Sequence, residues 1–260
     1  MITLFRHIRQ KLIASGSVTK YLIYALGEIL LVVVGILIAL QVNNWNEERT
    51  NKKLAQQYSE RLQDELENDI RRIDFRVVFF DSVMQMSKRA DRELKNKQFQ
   101  TLEEKWSFIL DVFNTSQTWP YKPSDAIYME LQNSGLLGHL GYRELLNLLS
   151  SYYEDQPLQL NQVNGGTQAY RDYSRSVIPM PVQTYIWESC FDVVNMEKQA
   201  FKQCGPPVEF SREIEDVYSF IIEDGEFQRL LTRRMATLYI RNLLLNTIKT
   251  EAVSILKILD

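Results

Sequence analysis

Few residues in this chain have the type and spacing for covalent or metal chemistry. There are only two histidines, His7 and His139. His7 lies in a basic stretch with Arg6, Arg9 and Lys11, and His139 stands in a Leu-Gly-His-Leu-Gly segment that reads as a structural turn. A histidine-rich zinc site needs several converging imidazoles, so it is excluded. A Cys–His nucleophile would need Cys190 or Cys204 to meet His139 across the fold. Gly165-Gly166 lacks a following Lys-Ser/Thr and no G-x-G-x-x-G occurs, so no phosphate-cradling loop is present. Acidic pairs such as Asp64-Glu65 and Glu223-Asp224 lack the spacing of a calcium loop and read as helix surface. Tyr152, Tyr153, Tyr170, Tyr173 and Tyr185 could line a ligand cleft, but rings of this amphipathic kind also fill cores, and that is the preferred reading. The chain is expected not to be an enzyme, and to use neither cofactor nor metal.

One acid stands apart. Glu28 is the single charge in Tyr21–Val42, YLIYALGEILLVVVGILIALQV. As a helix this run reaches ~33 Å, enough to cross a bilayer core of about 30 Å. Glu28, Leu31, Gly35, Ala39 and Val42 share one helix face, and Gly35 and Ala39 form a small-xxx-small pair suited to close helix approach. An acid at the centre of a span costs roughly 2.5–3.5 kcal/mol on insertion scales. Protonation, a hydrogen bond to a neighbouring helix, or a place on an ion path could each lower that cost. Leu31 and Val42 on the same face are apolar, which favours helix packing over ion conduction.

The flanks set the orientation. Residues 1–20 carry Arg6, Arg9, Lys11 and Lys20 and no acid, whereas the remaining chain has 26 basic and 33 acidic residues. Ile2–Ile13 forms an amphipathic pattern with a basic polar face, suited to lie among lipid head groups. Ser15-Gly16-Ser17 would be the hinge between that leader and the span. The apolar run is too long for a cleaved signal peptide, so it reads as an uncleaved signal anchor. A short basic leader stays in the cytoplasm while a long following domain is translocated largely regardless of its charge. Residues 1–20 are thus a cytoplasmic leader, 21–42 a transmembrane helix, and 43–260 a periplasmic domain. The acidic remainder argues against a nucleic-acid partner.

Beyond the span, Leu54, Tyr58, Leu62, Leu66, Ile70, Ile73, Val77, Phe80 and Met84 recur at intervals of three and four. No Pro or Gly occurs between Gly35 and Pro120, so the spanning helix is expected to continue to about Asn96. Thr101-Leu102-Glu103-Glu104 is a capping box opening a helix to about Asn114. Ser124 is expected to cap a helix over Asp125–Asn133 that Gly135 ends. A further helix from about Tyr142 is expected to kink at Pro157 and weaken at Gly165-Gly166 before Val177. Pro179–Val208 reads as an irregular excursion with short helical turns. A last helix, Glu226–Leu259, carries an apolar stripe through Phe227, Leu230, Leu231, Met235, Leu238, Leu245 and Ile248. Alternating strand patterns are absent, and the fold class is all-α: an amphipathic leader, a spanning helix running on as a long helix, and a helical bundle.

Cys190 and Cys204 would lie ~21 Å apart on one helix, whereas a disulfide needs Cα atoms within about 7 Å. Phe191–Gln203 reads as helix and Pro206-Pro207 stops it only beyond Cys204, which favours two free thiols. A disulfide between Cys190 and Cys204 requires the chain to turn in between.

Residues 4–48, LFRHIRQKL…KYLIYALGEILLVVVGILIALQVNNWNEE, resemble the opening of a domain-of-unknown-function family of single-pass envelope proteins found mainly in Bacteroidota. Tyr24–Ile29 and Gly35–Glu47 carry most of the likeness. Tyr128–Gly135, Arg143-Glu144-Leu145 and Tyr152-Tyr153 are similar to the family's middle region. The resemblance implies an inner-membrane protein with a helical periplasmic domain and supplies no activity. The combined expectation is a bitopic inner-membrane scaffold that contacts the lipid bilayer and either forms homo-oligomers or joins other envelope proteins. The alternative is an ion-coupled or signalling component that uses Glu28; its layout resembles stator-type subunits in topology only.

Overall fold

The structure is a computed structural model that describes residues 18–141, 143–165, 167–195 and 198–259. The expected leader helix Ile2–Ile13, the hinge Ser15–Ser17 and the head-group residues Arg6, Arg9 and Lys11 lie outside the described residues, as does the side chain of Lys20. The chain divides into two units, residues 1–56 and 57–260.

The first helix, α1, runs over Val18–Asn96, ending where the sequence places its end. In the first unit its Leu, Ile and Val residues from Leu22 to Val42 are exposed. It is long and apolar enough to cross a membrane.

In the second unit α1 is the inner pillar of a helical bundle. Leu62, Leu66, Ile73, Phe80 and Val83 are fully buried at spacings of three, four and seven, which keep them on one helix face. The following helices are α2 (Leu102–Thr115), α3 (Ala126–Ser134), α4 (Arg143–Ser150), α5 (Gln156–Gly165), α6 (Gln168–Val177), α7 (Met180–Ser189), α8 (Ser211–Glu223) and α9 (Gly225–Leu259). The capping box of α2 forms as the sequence dictates: Thr101 Oγ1 accepts from the Glu104 amide, and Glu104 accepts from the Thr101 amide. Gly135 closes α3 in the left-handed region, at φ 72°.

Two hydrophobic clusters fill this unit. One gathers α1 residues Leu62 to Val83 with α3, α4, α5 and the later part of α9. The other gathers Ala90 and Leu94 with α2, α6, α7, α8 and the start of α9, through Phe227 and Leu231. Helix α9 therefore serves both, lying antiparallel to α1: Asn242 donates to Asp81 and Lys249 to Asp74, each at 2.6 Å.

Four local expectations need correction. Ser124 does not cap α3; its amide and hydroxyl donate to Asp69, and Asp125 holds the cap position without a side-chain bond. The helix at Pro157 is not simply kinked. A π-turn over Ser151–Asp155 precedes α5, with the Gln156 amide donating to Ser151 O. The widened turn accommodates a proline ring that would otherwise collide with a carbonyl one turn back. The helix does not run on to Val177: α5 ends at Gly165, and α6 starts separately at Gln168. Finally, the helix expected over Phe191–Gln203 does not form among the described residues. The segment forms an antiparallel hairpin, β1 (Phe191–Asn195) and β2 (Lys198–Phe201), which pairs Phe191 with Phe201 and Asp192 with Ala200. That pairing brings the Cα atoms of Cys190 and Cys204 to 5.2 Å, and the two are joined by a disulfide.

Candidate functional site

In the first unit, Glu28, Gly35 and Ala39 follow one another along a face of α1, as helical spacing requires. Gly35 and Ala39 are exposed, and a Cβ added at Gly35 would meet nothing within 4 Å. This face is thus open to another helix. Glu28 is only partly exposed.

The second unit buries several charged groups that the apolar-stripe reading passed over. Arg234 and Arg241 sit on the inner face of α9, between Leu231, Leu238 and Leu245, and are almost wholly buried. Arg234 donates through Nε to Thr115 O (2.8 Å), through Nη2 to Gln117 O (2.7 Å) and through Nη1 to Thr167 Oγ1 (2.9 Å). Arg171 donates to Ser116 O, and Arg175 donates to Ser116 Oγ. Three guanidinium groups thus converge on the carbonyl end of α2. The negative pole of a helix and its unpaired carbonyls attract cations, which explains how these arginines are held here by carbonyls and hydroxyls rather than carboxylates. Burial still lowers the pKa of Arg234, and that of Arg175, to about 9, leaving both charged at neutral pH. Arg241 stacks over Phe80, with 4.5 Å to the ring centre.

A second network surrounds Asp69, a fully buried acid on α1. Its carboxylate accepts from Arg72 (2.7 Å), the Ser124 amide (2.9 Å), Ser124 Oγ (3.2 Å) and Tyr152 Oη (3.0 Å), and Tyr152 Oη also meets Tyr121 Oη at 3.1 Å. Desolvation raises the pKa of Asp69 despite these donors, and burial raises those of Tyr121 and Tyr152 as well. Arg76 donates to Pro120 O and stacks over Trp119. The network fastens the loop after α2 to the pillar helix. Asp69, Tyr121 and Tyr152 are buried within it, which suits a structural task.

A cleft of about 820 Å³ lies between α1, α2 and the chain leaving β2. Asp111 lies in it and accepts two bonds from Arg89, at 2.8 and 2.5 Å. Burial outweighs that ion pair and raises the Asp111 pKa to about 6. The disulfide forms part of the wall.

His139 is exposed in a short 3-10 turn, Leu137–His139. With both sulfurs in the disulfide, neither cysteine is available as a thiolate partner for it. Among the described residues no group of three His, Cys, Asp or Glu is placed to hold a metal ion. Tyr152 and Tyr170 are core residues, as preferred from sequence. The buried arginines were missed because a guanidinium on an apolar stripe reads as a break in it. Their only signal was the spacing from Leu231 through Arg234, Leu238 and Arg241 to Leu245.

Residues 28–166 match the model of one family, described as a family of unknown function (DUF6090). No curated protein and no solved structure matches the chain. The match takes in Glu28, Gly35, Ala39 and the Asp69 network; Arg171, Arg175, Arg234 and the disulfide lie beyond it.

Proposed function

From the premise that the chain belongs to DUF6090, a family of unknown function, we propose a bitopic protein of a bacterial inner membrane that works as an interaction module. Its span packs against another membrane helix, of a second copy or of another envelope protein. Its helical domain stands in the periplasm and engages partners there. The observation that carries this reading is the apolar stretch of α1, in which an 18-residue window has no buried side chain. Such a surface has a natural solvent in lipid. The basic residues Arg6, Arg9, Lys11 and Lys20 support a cytoplasmic N-terminus with lipid head-group contacts. The Cys190–Cys204 bridge supports a domain outside the cytoplasm, where disulfides persist.

A reporter active only in the periplasm, fused after Asp260, is expected to be active. Activity of a cytoplasm-only reporter at the same position overturns the proposed orientation.

Glu28 tests the role of the span. Glu28→Gln keeps a hydrogen-bonding group and is expected to leave assembly intact. Glu28→Leu is expected to weaken it by ~3–5-fold, the worth of one interhelical hydrogen bond in lipid. Oligomer mass in mild detergent and co-purification of partners read the difference. Loss of function in Glu28→Gln with assembly unchanged would favour the ion-coupled alternative.

A further inference from the structure

The two cysteines of the Cys190–Cys204 bridge do not stand alike toward solvent. Cys190 is 1% exposed and is a core member of the second hydrophobic cluster, at the end of α7. Both of its backbone groups are engaged. Its amide donates to Ile186 O at 2.9 Å, and its carbonyl accepts from the Lys202 amide at 2.8 Å. A sulfur enclosed in this way offers an outside thiol no approach until the packing around it opens.

Cys204 is differently placed. It is only partly buried, and Lys202, Gln203 and Gly205 around it are exposed. It belongs to the wall of the cleft of about 820 Å³, so open space adjoins it. Trp106 Nε1 donates to Cys204 O at 3.1 Å and Tyr185 Oη donates to Gly205 O at 3.1 Å. These bonds hold this stretch by its carbonyls and leave the sulfur out of the account. Thiol–disulfide exchange passes through a mixed disulfide, and access helps decide which sulfur is attacked.

We infer that Cys204 is the exchange site of this protein, the sulfur through which a dithiol oxidoreductase makes and opens the bridge. In oxidation, the Cys204 thiolate attacks the enzyme's disulfide and expels one enzyme thiolate. The Cys190 thiol then gives up its proton and attacks Cys204 Sγ, which releases the second enzyme sulfur as a thiolate. Two electrons and two protons pass in all from the protein's thiols to the enzyme's disulfide. Reduction runs the other way: an enzyme thiolate attacks Cys204 Sγ, and Cys190 leaves. Cys190 is the resolving sulfur because the fold keeps its Cα 5.2 Å from that of Cys204, so the second step is intramolecular. An adduct on Cys204 adjoins the cleft, whereas one on Cys190 has to displace the core.

The test uses the full-length protein in mild detergent and does not depend on the orientation proposed above. The probe is thioredoxin with its second active-site cysteine replaced by serine, which stalls at the mixed disulfide. With the oxidised protein it is expected to form an adduct that mass analysis maps to Cys204, leaving Cys190 as a thiol. The variants Cys190→Ala and Cys204→Ala are then compared by their rates with a chromogenic aromatic disulfide. Cys204 in the first is expected to react about tenfold or more faster than Cys190 in the second, at equal helix content. In guanidinium the two rates should converge, because unfolding removes the difference in access. An adduct on Cys190, no adduct at all, equal rates in the folded variants, or a ratio that persists in guanidinium overturns the inference.

Discussion

Arg234→Met is expected to cost the helical domain about 3–5 kcal/mol of folding stability, read as a lower denaturant midpoint. Methionine fills much of the same volume, so the loss comes from polar groups rather than from a cavity. The carbonyls of Thr115 and Gln117 lose this donor at a buried site, and the hydroxyl of Thr167 keeps only the longer bond from Arg241 at 3.5 Å. Each such group costs about 1–3 kcal/mol when left unpaired. Removing a buried cation works in the opposite direction, because burial already lowers the Arg234 pKa. That gain prevails where both partners of a buried pair are replaced together, and here the backbone acceptors stay behind. Arg234→Lys separates charge from geometry. It keeps the cation but cannot reach three acceptors set around a planar fork, so it is expected to retain less than half of the lost stability. A midpoint unchanged in Arg234→Met would mean that the carboxyl end of α2 is closed without this residue.

Reducing the Cys190–Cys204 bridge, or replacing both residues by serine, is expected to destabilise the domain by about 3 kcal/mol. The bridge closes a 14-residue separation, and in the chain-entropy account a loop of that size constrains the unfolded state by about this much. The hairpin inside the loop is short, with four paired positions and a register shift between Val193 and Asn195. A two-stranded ribbon of that length is marginal alone, so the reduced protein should also become sensitive to protease between residues 190 and 206. Mass analysis after alkylation under non-reducing conditions should find neither cysteine modified. Identical unfolding curves with and without reductant would show that the loop is already fixed by the packing of Phe201 on Phe79 and Phe191.

Most of the helical architecture is legible in the residues. The end of α1 near Asn96, the Thr101 capping box and the αL glycine at 135 each rest on one local rule that tertiary packing does not oppose. The stripe from Leu62 to Phe80 is legible for the same reason. What escaped has a different origin. Ser124 is a good capping residue, but Asp69, distant in sequence, takes both its donors. The hairpin hides because β1 and β2 are five and four residues long, too short for alternation to emerge. Helix α8 was not anticipated, as its Ile214, Val217, Tyr218 and Ile221 stripe lies next to a proline-rich stretch that dominates the local reading. For the candidate site, sequence locates Glu28, Gly35 and Ala39 on one face, because that needs only helical spacing. The cleft around Asp111 needs the spatial meeting of α1, α2 and the chain leaving β2, which no single stretch encodes.

Helix α9 belongs to both hydrophobic clusters, and this has a consequence for biogenesis. Its partner α1 is complete by Asn96, yet α9 begins only at Gly225. At bacterial translation speeds of about 5–20 residues per second, the intervening chain takes roughly 6–26 s to emerge. Throughout that interval the inward stripe of α1 has no α9 to cover it, and the Asp74–Lys249 contact bridges a separation of 175 residues. A nascent chain in that state presents a long greasy surface at the moment it leaves the ribosome or the translocon. It is a natural client for a holding chaperone. Products truncated before residue 225 should be cleared by quality-control proteases rather than accumulate as a smaller domain.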